Sequence, residues 1–141
     1  MASVEIHSEF GLVILTAVTS IFMLIYKSIK VGQARKLYGV PYPIMYSTDE
    51  KGKVFNCYQR AHQNTLENYP QFLVLLIFGG LQHPVVASVS GMVWITARIM
   101  YARGYYTGDP SKRMKGSFGY IGLLTLLGCT ISLALHLLQV L

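Results

Sequence analysis

Three stretches of this chain contain no Asp, Glu, Lys or Arg: residues 10–26, 68–97 and 116–141. A helix that crosses a membrane needs about 17–25 largely apolar residues. These stretches therefore supply the cores of four spans. The middle one divides into two at Gly79-Gly80 and Gln82-His83-Pro84, where turn-forming residues interrupt it. Only 13% of the 141 residues are charged, against about 25% in an ordinary soluble domain. The pattern predicts an all-α fold, a single-domain four-helix transmembrane bundle of up-and-down topology, with spans at about 8–38, 55–80, 84–106 and 116–141.

The distribution of cations orients that bundle. Seven of the twelve Lys and Arg residues fall between Lys27 and Arg60, and five between Arg98 and Lys115. None lies in residues 1–26, in the turn at 79–84, or after Lys115. In an up-and-down bundle the first and third connections share one side, which the positive-inside rule makes cytoplasmic. A net charge of +6 then reports topology and anionic head groups rather than nucleic acid. Lys27, Lys30, Lys36, Lys51, Lys53 and Lys115 are adequately explained by the membrane surface.

The first apolar stretch does not read as a cleaved signal peptide, because Glu5 and Glu9 precede it where a basic leader is expected. Cys57 and Cys129 match neither a CxxC nor a metal spacing, and both read as packing residues. His83 and His136 lack clustered ligand partners, so no metal cofactor is expected.

The second span departs from an ordinary membrane helix. Residues 55–70 continue into an apolar run yet carry Arg60, His62, Asn64 and Glu67. With Arg60 at zero on a helical wheel, Asn64 falls near 40° and Glu67 near −20°, so the three share one narrow stripe. Charged groups at a helix centre cost roughly 2.5–3.5 kcal/mol each on insertion scales, and they face a bundle interior or a wet cavity. The plain structural alternative is that Arg60 and Glu67 neutralise one another. In the third span Arg98, Tyr101 and Tyr105 also fall on one side, while Tyr106 and Tyr120 read as interfacial anchors. Arginines suit carboxylates through bidentate hydrogen bonds. Glu67 suits an ammonium, and Asn64 and the tyrosines suit amides. A small zwitterion with several carboxylates matches this set; glutathione is one such molecule, and other anionic metabolites remain open on residue chemistry alone.

At these residues the sequence resembles the membrane-associated proteins in eicosanoid and glutathione metabolism. The segments that carry the resemblance are Tyr42-Pro-Ile-Met-Tyr-Ser-Thr-Asp49, Phe55-Asn-Cys57, Gln59-Arg-Ala-His-Gln-Asn-Thr-Leu-Glu67 and Gly104-Tyr-Tyr-Thr-Gly-Asp-Pro-Ser-Lys-Arg113. The resemblance implies a homotrimer that holds glutathione, as co-substrate, between subunits near the cytosolic face. Lipophilic electrophiles or lipid hydroperoxides would arrive from the membrane lipids. It further implies glutathione contacts at Arg60, His62, Asn64, Glu67, Arg98, Tyr101 and Tyr105, and a carboxylate contact from Arg35 of a neighbouring subunit. The family's catalytic arginine follows a tyrosine by seven residues. Counting from Tyr106 reaches Arg113, which is favoured, and counting from Tyr105 reaches Lys112, the alternative. Where the family has a tyrosine directly after the glutamate, this chain has Asn68, with Tyr69 one place later.

The expected activity is therefore glutathione transfer and glutathione-dependent peroxidase chemistry on lipophilic substrates, including oxidised eicosanoids. The expected location is the endoplasmic reticulum membrane with the site toward the cytosol, the mitochondrial outer membrane being the alternative. A non-catalytic lipid-binding scaffold of the same fold is the rival reading, and a small channel or transporter ranks third, since no inverted repeat or selectivity motif is evident.

Overall fold

A computed structural model describes residues 1–141. It contains four α-helices and no strand: α1 (Phe10–Leu37), α2 (Lys53–Gln82), α3 (Pro84–Tyr105) and α4 (Gly119–Leu137). Short 3-10 segments at Glu50–Gly52 and Pro110–Gly116 lie in the two longer connections. α2 and α3 each pack against both of the other helices, so α1 and α4 flank a central α2–α3 pair.

α1, α3 and α4 are each long and apolar enough to cross a membrane. α2 is the longest helix, but Arg60, Glu67 and a run of amides occupy its first half and keep it out of that group. At about 1.5 Å rise per residue its 30 residues extend roughly 45 Å, and the helix continues through Pro70. The outer faces of α1 and α4 present Leu15, Phe22, Ile121 and Leu124 to the surroundings. Contiguous apolar surface of this kind requires lipid or protein cover.

The core runs along the middle of the bundle through Val13, Met23, Phe72, Leu76, Ala87, Trp94, Ile95 and Leu126. Phe72 of α2 and Trp94 of α3 stack with ring centroids 4.0 Å apart. Both cysteines are buried and free.

Close approach between α3 and α4 depends on glycines. A Cβ on Gly119 would lie 2.7 Å from the Ala97 Cβ, and one on Gly122 would lie 2.5 Å from the Ser90 carbonyl oxygen. Small residues at such crossings are what let membrane helices pack backbone to backbone. At the opposite end from the cationic connections, α2 passes to α3 through His83 alone, with Pro84 in the first turn of α3, where its missing N–H costs nothing. The His83 ring nitrogen Nε2 lies 3.0 Å from Ser132 Oγ, and that hydroxyl donates to Gln82 Oε1 at 3.2 Å, so α4 is tied to this turn.

Candidate functional site

A cavity of about 290 Å³ opens between α2, α3, α4 and the 110–116 connector. Asn64 and Asn68 reach it from α2; Trp94, Arg98 and Tyr101 from α3; Arg113 and Met114 from the connector; and Tyr120 and Leu123 from α4. One wall is cationic and amidic, and the other is aromatic and aliphatic. A polar or ionic group and an apolar body can therefore lie side by side in it.

Arg98 is the centre of the polar wall. Its Nη2 donates to Asn64 Oδ1 at 2.6 Å and to Thr65 Oγ1 at 2.8 Å, and its Nε donates to the same Thr65 oxygen at 3.0 Å. The guanidinium carbon sits 4.0 Å from the centroid of the Tyr101 ring and 5.9 Å from that of Trp94, a cation–π geometry that braces it from the side. Tyr101 in turn meets Tyr105 edge-on at 5.3 Å.

The connector that carries Arg113 is pressed onto α3 at two glycines. A Cβ on Gly104 would collide with the Lys112 carbonyl, and one on Gly116 would collide with the Ala97 carbonyl and the Tyr101 Cβ. Asp109 starts this segment: its Oδ1 accepts from the Ser111 amide at 3.0 Å and from the Ser111 hydroxyl at 2.7 Å. Those two bonds hold its carboxyl below the usual carboxylate range. Arg113 then bends back so that Nη1 donates to the Pro110 carbonyl at 2.8 Å. The residue borders the cavity, whereas Lys112 is exposed and does not.

Of the nine site residues expected from sequence, Asn64, Arg98, Tyr101 and Arg113 meet at this cavity. The other five lie elsewhere in the chain. Arg60 and Glu67 pair with each other on the outer face of α2, Nη1 to Oε1 at 2.9 Å and Nη2 to Oε2 at 3.2 Å, with 41% and 47% of their side chains exposed. The extended side chains bridge two helical turns unaided. Tyr105 is buried with Cys57, Ala61 and Ala102, and His62 has a buried Nδ1 without a hydrogen-bond partner. Arg35 organises the loop after α1. Its Nη1 donates to the carbonyls of Val40, Pro41 and Ile44, and its guanidinium carbon lies 4.1 Å from the Tyr42 ring centroid and 4.8 Å from that of Phe55.

Three side chains depart from the sequence reading. Lys27, assigned to the membrane surface, is completely buried, and its Nζ donates to Thr65 Oγ1. α1 turns this position inward against α2, so the side chain cannot snorkel to the interface. Tyr120, read as an interfacial anchor, borders the cavity. Trp94 went unnoticed, although it lies four residues before Arg98 and therefore on the same helical face. At the position where the resemblance leads one to expect a tyrosine, Asn68 faces the cavity, while Tyr69 turns inward to share a 2.7 Å hydrogen bond with Ser20 of α1.

Comparison with known proteins agrees with this architecture. The MAPEG family model matches residues 13–135. Human microsomal glutathione S-transferase 2 is 38% identical over 107 residues, covering 73% of this chain and 69% of the relative. Bovine leukotriene C4 synthase is 31% identical over 98 residues, covering 69% and 63%. An uncharacterised protein of a Synechocystis strain is 33% identical over 128 residues, covering 89% and 90%. With a family match over nearly its whole length and four helices arranged as described, the chain is a multi-pass membrane protein that belongs to the MAPEG family.

Proposed function

We propose that this protein is a membrane glutathione S-transferase that joins glutathione to lipophilic electrophiles and also reduces lipid hydroperoxides. The observation that carries this reading is the cavity in which Arg98, Asn64 and Arg113 face Trp94, Tyr120 and Leu123. It offers cationic and amide donors for a small acidic peptide beside an apolar wall for a lipid. The quoted segments resemble those of the MAPEG family, and a matched relative is named microsomal glutathione S-transferase 2.

The chemistry requires a thiolate. With an ordinary thiol pKa near 8.5, only about 3% of glutathione is ionised at pH 7. A guanidinium in contact with sulfur lowers that pKa by about two units, equivalent to ~2.7 kcal/mol. Arg113 takes this role, because an arginine cannot lose its own proton and its segment is clamped onto α3. The thiolate attacks an electrophilic carbon, forming a C–S bond as the C–O bond of an epoxide breaks; the resulting alkoxide then takes a proton. On a hydroperoxide, the thiolate attacks the terminal oxygen. The O–O bond breaks to give an alcohol and a sulfenic acid, and a second glutathione converts the latter to a disulfide and water.

In the same reading α2 is the fourth span, and the protein works as a homotrimer. The exposed Arg60–Glu67 pair supports this, since a charge pair left against hydrocarbon is costly and a neighbouring protomer can cover it. Glutathione then lies partly between subunits, where Arg60, His62, Glu67, Tyr105 and the neighbour's copy of Arg35 complete its contacts. The site faces the cytosol from the endoplasmic reticulum membrane.

The deciding experiment is turnover of the detergent-solubilised protein with glutathione, run in parallel against an epoxide and a lipid hydroperoxide. Conjugate and lipid alcohol are the expected products. Saturable lipid binding with neither product would make the protein a non-catalytic scaffold.

A further inference from the structure

Residues 42–49, between α1 and α2, lie outside every helix, yet α2 grips them at successive positions. Gln59 is buried, and its Nε2 donates to the Met45 carbonyl at 3.1 Å. Asn56 Oδ1 accepts from the Ser47 amide, and its Nδ2 donates to the Ser47 carbonyl, both at 2.8 Å. Arg35 of α1 adds a bond to the Ile44 carbonyl at 2.8 Å. A Cβ on Gly52 would overlap the Ser47 side chain, so the chain entering α2 is folded tightly against the same place. The backbone on both sides of Tyr46 is thereby fixed to the first turns of α2.

Tyr46 itself is 44% exposed. Asn56, which holds its neighbour Ser47, lies one turn before Arg60 on the same face of α2. The Tyr46 hydroxyl stands beside the Arg60 guanidinium. A guanidinium has donors only, so toward Arg60 the phenol oxygen can act only as an acceptor. The phenol's own proton is left for another group. Beyond Arg60 on the same stripe comes Glu67, its ion-pair partner. A phenol, a guanidinium and a carboxylate are thus set in order along one exposed face. The first two suit a carboxylate, through charge-assisted hydrogen bonds, and the third suits an ammonium.

We infer that Tyr46 is a glutathione-binding residue whose hydroxyl donates to the carboxylate held by Arg60. The inference rests on the glutathione reading and extends its contacts from the helices to the loop before α2. Bonds from Asn56 and Gln59 hold the donor in place before the ligand arrives, so little ordering is left to the binding step.

The test is equilibrium binding of glutathione and of S-methylglutathione to the detergent-solubilised protein and to its Tyr46→Phe, Arg60→Gln and doubly substituted variants. S-methylglutathione retains both carboxylates and cannot form a thiolate. Tyr46→Phe is expected to bind both ligands about tenfold more weakly, the effect of one lost hydrogen bond to a charged group. Its thermal midpoint is expected to stay unchanged, because phenylalanine keeps the ring. In the Arg60→Gln background the carboxylate is no longer held at the phenol, so adding Tyr46→Phe is expected to weaken binding by less than about threefold. A residue that merely packs the loop would keep its affinity on losing only the hydroxyl. Unaltered affinity of Tyr46→Phe therefore overturns the inference, as does a loss of the same size in both backgrounds or a loss confined to glutathione. If the unmodified protein binds neither ligand saturably, the glutathione reading falls and the role of Tyr46 falls with it. Saturable binding by the unmodified protein with equal binding by Tyr46→Phe removes that role alone.

Discussion

Arg60 and Glu67 close a two-bond ion pair across two turns of α2 and hold it on an exposed face of that helix. If glutathione takes its place among these groups, its ammonium meets Glu67 and a carboxylate meets Arg60. Glu67→Gln and Arg60→Gln are each expected to raise the glutathione KM about tenfold with a smaller change in kcat. The double variant is expected to fall short of the product of the two effects, because each single change already breaks the pair. Initial rates at varied glutathione concentration provide the check, and strict additivity would separate the two roles.

Arg113 and its neighbour Lys112 can be told apart by pH. A cation beside sulfur favours the thiolate, so the bound thiol titrates below its free value and activity is present above that lowered pKa. Arg113→Ala should return the titration toward about 8.5 and reduce the rate at pH 7 by up to ~30-fold. The deficit should shrink steadily as pH rises past the free thiol's pKa. Lys112→Ala should leave the pH–rate curve in place. The measurement is kcat against pH with saturating glutathione, and an unshifted curve for Arg113→Ala would exclude it as the thiolate's partner.

Gly104 has a consequence for catalysis without touching the cavity. A methyl group there meets the Lys112 carbonyl, so Gly104→Ala must push the connector off α3. Overpacking of this type costs typically 1–3 kcal/mol. The expected outcome is a lower thermal midpoint and a loss of kcat approaching that of Arg113→Ala, while glutathione binding through Arg98 and Asn64 persists. Thermal unfolding followed alongside turnover would show whether the two losses accompany each other.

Asp109 makes the order of that connector sensitive to acid. Its folded carboxyl is held low by the Ser111 amide and hydroxyl, so its contribution is present above the unfolded pKa of about 3.9 and disappears as pH falls through the lower folded value. Asp109→Ala should therefore make the 107–116 segment more open to proteolysis at pH 7. At a pH below both values, the variant and the unmodified protein should be cleaved alike by an acid-active protease.

The helical bundle was legible because charge-free runs and turn residues state the solvent and the chain reversals directly. The polar face of α2 was legible for a related reason: Arg60, Asn64 and Glu67 are anomalous wherever lipid is near. Direction within a face was harder. A helical wheel places Asn64 with Arg60 and Glu67, yet the structure turns Asn64 to Arg98 and leaves the other two facing outward. Lys27 misled for a deeper reason. A lysine late in a first span matches a topology signal, and its burial depends on Thr65 and Arg98, which arrive from helices far away in sequence. The choice between Lys112 and Arg113 likewise depends on Gly104 and Gly116, whose missing side chains set how the connector lies.

The single-residue link at His83 also determines how the cavity can change shape. α2 and α3 cannot slide past one another there, and Ser132 ties α4 to the same end. Arg98 lies 14 residues beyond Pro84, about 21 Å along α3. The three helices thus resemble the legs of a caliper joined at one end. Any angular change between them at the His83 end is therefore amplified at the level of Arg98 and Arg113, and the Phe72–Trp94 stack between is what resists it.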